Sequence, residues 1–279
     1  MIRSVSDTLF VALIIIFGLN IRGRLLINHS LFYNLNLLLL ILQSMQLSII
    51  IPTYNEAGNI VALINYLKLH GKDSVKEIIV SDCHSTDDTV KLAHDLGAIA
   101  KVSPKRGRAA QMNYGASLAT SSIYYFVHAD CLPPESFVQD IKESIENGYE
   151  LGGFISEYNS EDLNMKLNAF FTQFDWLVNR GGDQTMFTTK NLFEEINGFD
   201  ETYMIMEDYD FVKRARKTHP FNVIQKSVKI STRKYDNNSY FQVNFANFVV
   251  FSMYLIGFKP KTLLKTYKNL INHPKAEAV

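Results

Sequence analysis

From Met45 to Ile145 the chain repeats one pattern: a short β-branched run, a turn, then an amphipathic stretch. Leu47–Ile51 is continuously apolar and closed by Pro52, as expected of a strand buried on both faces. Asn59–Leu69 follows, with Ile60, Leu63, Ile64 and Leu67 on one helical face. Glu77–Val80 reads as a second strand and Thr89–Leu96 as a helix, with Ser85, Thr86 and Asp87 available to cap it. The strand Ala98–Val102, the helix Ala109–Leu118, the strand Ile123–Val127 and a helix opened by Pro134 continue the series through Ile145. Alternation at this pitch predicts an α/β fold, a Rossmann-like, mostly parallel sheet flanked by helices. Crossovers in such a sheet are right-handed, and ligands gather beyond the carboxyl ends of its strands.

That rule brings four stretches to one edge: Thr53–Glu56, Ser81–His84, Lys105–Arg108 and His128–Asp130. Three carry carboxylates and one carries cations. Asp130 sits between a strand and the Pro133-Pro134 turn, so its backbone is fixed on both sides. A carboxylate so placed suits Mg2+ or Mn2+, which take few protein ligands and share their shell with phosphate oxygens. The plain alternative is a cap for the following helix. His128, two residues earlier on an extended chain, points the same way and is compatible with Mn2+.

Asp82 ends its strand and reads as a ribose or base contact, whereas Asp87 and Asp88 read as caps and turn residues. Glu56 is placed to accept a hydrogen bond from a ribose hydroxyl. No glycine-rich phosphate loop follows the first strand, which disfavours a dinucleotide or P-loop reading. Lys105, Arg106 and Arg108 open a helix whose N-terminus is already positive. Such stacking makes sense where an anion binds, the alternative being a solvated basic turn.

Beyond Glu150 the alternation fades into a strand at Leu151–Ile155, a helix at Leu163–Trp176, a strand at Thr185–Thr189 and a helix at Glu207–Lys217. Tyr240–Leu255 and Lys261–Ile271 read as closing helices. Their aromatics suit a lipid acceptor or a membrane surface, and suit an ordinary core better. Glu207-Asp208 follows the apolar Met204-Ile205-Met206, an approach of the kind that raises a carboxylate's pKa and makes a base. The alternative is a pair of acids favoured by a helix dipole. Asp183 and Gln184, after Gly181-Gly182, suit sugar or acceptor hydroxyls.

The 279 residues are 47% hydrophobic, enough for a substantial core. Lys plus Arg and Asp plus Glu number 28 each, so no global field favours nucleic acid. Cys83 and Cys131 are too few for a disulfide framework and read as buried thiols in a reducing cytoplasm. Residues 1–44 differ from the rest: Leu9–Leu19 and Leu35–Leu42 are apolar runs shorter than the roughly 18 residues of a spanning helix. A membrane-associating hairpin, a helical appendage and a mis-assigned start ahead of Met45 all fit. The expected organisation is this extension over 1–44, one domain over 45–270 and a tail over 271–279. The expected location is the cytoplasm, with the inner face of the cell membrane as the alternative.

"SIIIPTYNEAGNI", "IIVSDCHSTDDT", "FVHADCLPP" and "MEDYDFVKRAR", in that order, resemble a family 2 glycosyltransferase with the GT-A fold and closing C-terminal helices. "RGRAAQMNYGA", "GGDQTMF" and "YLIGFKPKTLLKTY" resemble the small bacterial subgroup labelled transferase 2, associated with radical-SAM and selenodomain proteins. The resemblance covers Met45 to Tyr267. It implies inverting, metal-assisted transfer of one sugar from a nucleotide-diphosphate sugar to a glycan, lipid or small-molecule acceptor. Pro52, Tyr54, Glu56, Asp82, Arg106 and Arg108 would hold the nucleotide, Asp130 and His128 the metal, and Asp208, with Glu207 beside it, would be the base. His128 stands where the family usually has the first aspartate of Asp-x-Asp. The tryptophan motif of processive synthases is absent, and Arg233 and Lys234 in that region would meet the diphosphate. The rival readings are a nucleotidyltransferase, which would release pyrophosphate, and a non-catalytic sugar-nucleotide binder or membrane-tethered protein.

Overall fold

The structure, a computed structural model, describes residues 45–160, 162–181, 184–232, 235 and 238–271. The extension over 1–44, Asp183, Arg233, Lys234 and the tail beyond Ile271 lie outside the described residues. A compact unit begins at Gln46.

Its centre is an eight-stranded sheet whose strands, in spatial order, are Ile99–Val102, Val75–Asp82, Leu47–Thr53, Ile123–Phe126, Met186–Thr189, Leu151–Tyr158, Phe221–Ile230 and Cys131–Leu132. The first half is the alternating unit expected: β1 (Leu47–Thr53), α1 (Ala57–Gly71), β2 (Val75–Asp82), α2 (Thr89–Asp95), β3 (Ile99–Val102), α3 (Arg108–Leu118) and β4 (Ile123–Phe126). β1 is buried along its whole length, which is why Ser48, Thr53 and five apolar or proline residues can alternate with no polar face. β1 lies parallel to both β2 and β4, and β2 parallel to β3. Thr53 pairs with Asp82, and Asp82 with Val102, so these strands end level. α1 buries Ile60, Leu63, Ile64 and Leu67, the face its sequence spacing predicts.

The second half turns the sheet mixed. After β5 (Cys131–Leu132) and α4 (Phe137–Glu146), β6 (Leu151–Tyr158) and β7 (Met186–Thr189) pair antiparallel, and β7 also runs antiparallel to β4. Between them lies α5 (Leu163–Phe171), shorter than expected because the chain leaves the helix after Phe171 and makes a 3-10 turn at Leu177–Asn179. α6 (Lys190–Glu195), α7 (Glu207–Ala215), β8 (Phe221–Ile230), α8 (Tyr240–Ile256) and α9 (Pro260–Leu270) follow. β8 was not expected. It pairs parallel to β6 through a register shift between Phe154 and Ile155. Across that shift the parity of its apolar residues changes, from Phe221 and Val223 to Val228 and Ile230, so no period-two signal survives in the sequence.

β6 is pressed between β7 and β8 through Gly152 and Gly153. A methyl on Gly152 would lie 2.5 Å from the Phe187 ring and 2.6 Å from the Asn222 carbonyl oxygen. Gly152→Ala is therefore expected to cost about 1–3 kcal/mol as an overpacked core site. At roughly 2–4 °C per kcal/mol for a domain of this size, the thermal midpoint should fall by several degrees. An unchanged midpoint would mean that β6 slides freely past its neighbours.

Candidate active site

Beyond the carboxyl ends of β1 and β4 lies a cavity of about 520 Å³. Its floor comes from the first half: Pro52, Thr53, Tyr54 and Glu56 after β1, Gln111 and Arg108 from α3, and His128, Ala129 and Asp130 after β4. Its roof comes from the second: Gln184 ahead of β7, and Ile205 to Tyr209 at the start of α7. The far wall carries five asparagines, Asn168, Asn179, Asn238, Asn244 and Asn247, contributed largely by α5 and α8.

The floor is rigid for local reasons. The Gln111 amide on α3 donates to the carbonyls of Thr53 and Ser81, 2.7 Å each, and so ties the ends of β1 and β2 together. The Glu56 amide donates to Thr89 Oγ1 at 2.8 Å, and the Glu56 carboxylate accepts from Asn59 Nδ2 at 2.7 Å. Asp87 accepts from the backbone amides of Ala57 and Thr89, the turn role expected of it. Burial works against its charge, but the donors of Thr89 and Ala57 hold its pKa below the ordinary carboxylate value. Asp130 is clamped on both sides. The Cys131 amide donates back to His128, the Ser231 amide donates to the Asp130 carbonyl, and β5 pairs at once with β8. β5, two residues long, thus serves to fix the direction of the Asp130 side chain.

Above the floor, α7 begins with three acids in its first turn, Glu207, Asp208 and Asp210, where the helix dipole favours negative charge. The residue before them, Met206, has a left-handed φ of 69°, unusual for a side chain of its size and a local strain at the site. Arg108 Nε lies 3.0 Å from Glu207 Oε1, and its Nη1 lies 4.0 Å from Asp208 Oδ2. Glu207 is buried, with 2% of its side chain exposed, while Asp208 faces the cavity at 13%. The Tyr209 ring packs on Gly181, where a Cβ would come within 2.1 Å of it. Arg180 anchors the same loop by donating to the carbonyls of Thr172 and Phe174. Burial lowers the Arg180 pKa to about 10, which leaves it a cation at neutral pH.

Of the residues singled out from sequence, Pro52, Tyr54, Glu56, Arg108, His128, Asp130, Gln184, Glu207 and Asp208 line this one cavity. Asp82 does not. It is fully buried beneath the floor, its carboxylate accepting from Thr53 Oγ1 at 2.9 Å and from the Ser85 amide at 2.7 Å. Arg106 lies exposed on the turn before α3, outside the lining, and Lys105 pairs with Glu201 at 2.6 Å. Asp183 and Arg233 fall outside the described residues. Cys83 and Cys131 are both buried. Gln111, Arg180 and the five asparagines escaped the sequence reading. Only the carboxamides near 164–184 and 238–247, dense for helical segments, hinted at a polar wall.

No group of three or more His, Cys, Asp and Glu side chains that could hold a metal occurs among the described residues. The cavity nonetheless presents four carboxylates, Glu56, Asp130, Glu207 and Asp208, against one guanidinium, Arg108, among its described lining residues. Asp130 and His128 fit a divalent ion whose remaining ligands are phosphate oxygens, and do not fit one held by protein alone.

Solved structures share the fold. The mannosyltransferase PcManGT of Pyrobaculum calidifontis, in complex with GDP-Man and Mn2+, superposes with a TM-score of 0.59 at 16% identity, covering 84% of this chain and 69% of that one. Glucosyl-3-phosphoglycerate synthase of Mycobacterium tuberculosis, in complex with Mn2+, UDP and glucosyl-3-phosphoglycerate, superposes at 0.53 with 15% identity, covering 74% and 79%. By sequence, an uncharacterised glycosyltransferase of Haemophilus influenzae is 25% identical over 187 residues, 63% of each chain. One of Rickettsia felis is 36% identical over 101 residues, 36% of this chain and 33% of that one. The chain therefore spans less than two thirds of the length of either relative. The profile of glycosyl transferase family 2 matches residues 48–216, more than half of the sequence, and the chain belongs to that family.

Proposed function

We propose that the chain transfers a single sugar from a nucleotide-diphosphate sugar to an acceptor hydroxyl, with inversion at the sugar's anomeric carbon. The observation that carries this reading is the meeting of Glu56, His128, Asp130, Arg108 and Asp208 in one cavity from four separate stretches of chain. Pro52, Tyr54 and Glu56 face the nucleoside, and Asp82 holds the Thr53 and Ser85 groups that shape the floor beneath it. Asp130 and His128 would hold Mn2+ or Mg2+, which when bound neutralises the diphosphate and stabilises its departure. Arg108 adds a fixed positive charge beside the same space, and Arg233 is assigned to the diphosphate by its sequence position alone. Gln184 and the asparagine wall offer hydrogen bonds to sugar or acceptor hydroxyls, and Asp183 is assigned to the same hydroxyls by its sequence position alone. In the reaction the acceptor oxygen bonds to the anomeric carbon as the bond to the diphosphate breaks, and the acceptor's proton passes to Asp208. The solved structures with GDP-Man and with UDP support the donor class, and the absent processive motif supports a single addition. The transferase 2 subgroup remains our placement within the family, carried by "RGRAAQMNYGA" and "GGDQTMF".

The test is donor turnover. The full chain, with Mn2+, is offered UDP-, GDP-, CDP- and dTDP-sugars, and free nucleoside diphosphate is measured. Slow release from one donor class, faster with acceptor extracts, is the expected result. Pyrophosphate released from a nucleoside triphosphate would instead establish a nucleotidyltransferase. Donor binding with no release under any condition would establish a binder.

A further inference from the structure

Two exposed apolar faces flank the mouth of the cavity. On α8, Phe241, Phe245 and Phe248 are 72%, 59% and 70% exposed and recur at helical spacing, so they form one stripe. On and after α5, Phe170, Phe171, Phe174 and Trp176 are exposed and pack together, Trp176 stacked on Phe171 and Phe174 and Phe170 edge-on to both phenylalanines, with ring centroids 5.1–6.4 Å apart. The helices that bear them touch, because Tyr240 donates to the Asn164 carbonyl at 3.0 Å and Asn168 meets Asn244 at 3.4 Å. Val178 and Phe248, one from each face, are exposed and also line the cavity. The apolar surface therefore runs up to the cavity entrance. An aromatic surface this large is not ordinary solvent-facing helix.

Charge says what covers it. Between Ser239 and Ile271 the sequence holds four lysines, Lys259, Lys261, Lys265 and Lys268, and no Asp or Glu. All four are exposed, and the exposed Leu255, Ile256 and Phe258 lead directly into Lys259. The α8–α9 side is thus aromatics, aliphatics and lysines without carboxylates, and on the α5 side the exposed Asp175, between Phe174 and Trp176, is paired with Arg216, which together is the composition of a surface that lies in the headgroup region of a bilayer. Among the described residues no helix is long and apolar enough to cross a membrane.

We propose that α5, the turn after it and the α8–α9 hairpin dock the protein on an anionic lipid surface, with the cavity mouth turned toward the bilayer. Resting on the transferase reading above, this places the acceptor side of the cavity where a lipid-borne hydroxyl can enter, beside the asparagine wall.

The chain has a single tryptophan, Trp176, and it stands in this surface, so its emission reports docking here and nowhere else. The full chain is titrated with vesicles of phosphatidylcholine alone and with phosphatidylglycerol added. Expected are a blue shift of Trp176 emission, quenching by brominated acyl chains, and at least tenfold tighter partition to the anionic vesicles. Lysines near such a surface contribute roughly fivefold each. Replacing Phe241, Phe245 and Phe248 together by serine, at exposed positions, should abolish the shift while leaving the thermal midpoint in place. Replacing Lys259, Lys261 and Lys265 by serine should remove the anionic preference. Vesicle binding with unchanged Trp176 emission would overturn the proposal and assign binding to another segment, such as the apolar runs of residues 1–44. Absence of binding would overturn it as well. So would a blue shift that grows with protein concentration without vesicles, which would show that a second copy covers the face. Donor turnover in the same samples fails or succeeds separately, so the two readings fall independently.

Discussion

Asp208→Asn is expected to lower sugar transfer by about 10²–10⁴-fold, the usual range for loss of a positioned general base, with donor binding unchanged within error. Asparagine keeps the shape of the side chain and one acceptor oxygen, the other oxygen giving way to an N–H donor, so α7 should stay where it is. What goes is the capacity to take a proton. Two features single out Asp208 rather than its neighbour. Glu207 is nearly sealed and pairs with Arg108 Nε, while Asp208 faces the cavity and sees Arg108 only at 4.0 Å. Glu207→Gln should therefore act differently. It loosens Arg108 and so weakens diphosphate binding together with transfer. Single-turnover assays at saturating donor, with donor affinity measured in parallel, separate the two. If Asp208→Asn loses donor binding and transfer by the same factor, Asp208 is a binding residue and the base lies elsewhere. Full activity in Asp208→Asn would remove it from the mechanism altogether.

What the sequence made legible follows from how each feature is encoded. The parallel half of the sheet could be read because β1 and β4 are buried along their whole length and β2 from Ile78 onward, so each shows an apolar run ahead of the turn at its carboxyl end. Asp130 and Asp208 could be read because each interrupts an apolar approach. Asp82 ends its strand in the same way, yet its carboxylate is turned into the floor by Thr53 and Ser85, and no pattern of residue types records that rotation. β8 stayed hidden because its register shift changes the parity of its apolar residues midway. The Arg108–Glu207 pair spans nearly a hundred positions and exists only because α3 and α7 flank the same cavity. The aromatic stripe of α8 was visible as composition in Phe241–Phe258. It looked like core, and only the fold shows Phe241, Phe245 and Phe248 directed outward.

The second large effect concerns Asp130. Wild-type protein in Mn2+ with its preferred nucleoside diphosphate at 100 times the dissociation constant gains about 2.7 kcal/mol of stability by linkage. At roughly 2–4 °C per kcal/mol, that is a rise of about 5–10 °C in thermal midpoint. Asp130→Ala is expected to abolish the Mn2+-dependent part of this rise while leaving the unliganded midpoint nearly unchanged. The side chain is half-exposed in the cavity, and the local structure is held by backbone: the Ser231 amide on the Asp130 carbonyl and the β5–β8 pairing. His128→Ala tests the other donor. Where imidazole ligates the ion, its loss should weaken Mn2+ more than Mg2+, because Mg2+ takes nitrogen poorly. A similar loss with both ions would place His128 on the phosphate instead. Four carboxylates against one arginine among the described lining residues set the sign of the control, since without a divalent ion they repel the diphosphate and no shift should appear in EDTA. A full shift in EDTA, or one that survives Asp130→Ala, would mean that cations of the chain alone neutralise the diphosphate, and Asp130 would then be a structural acid at the end of β4.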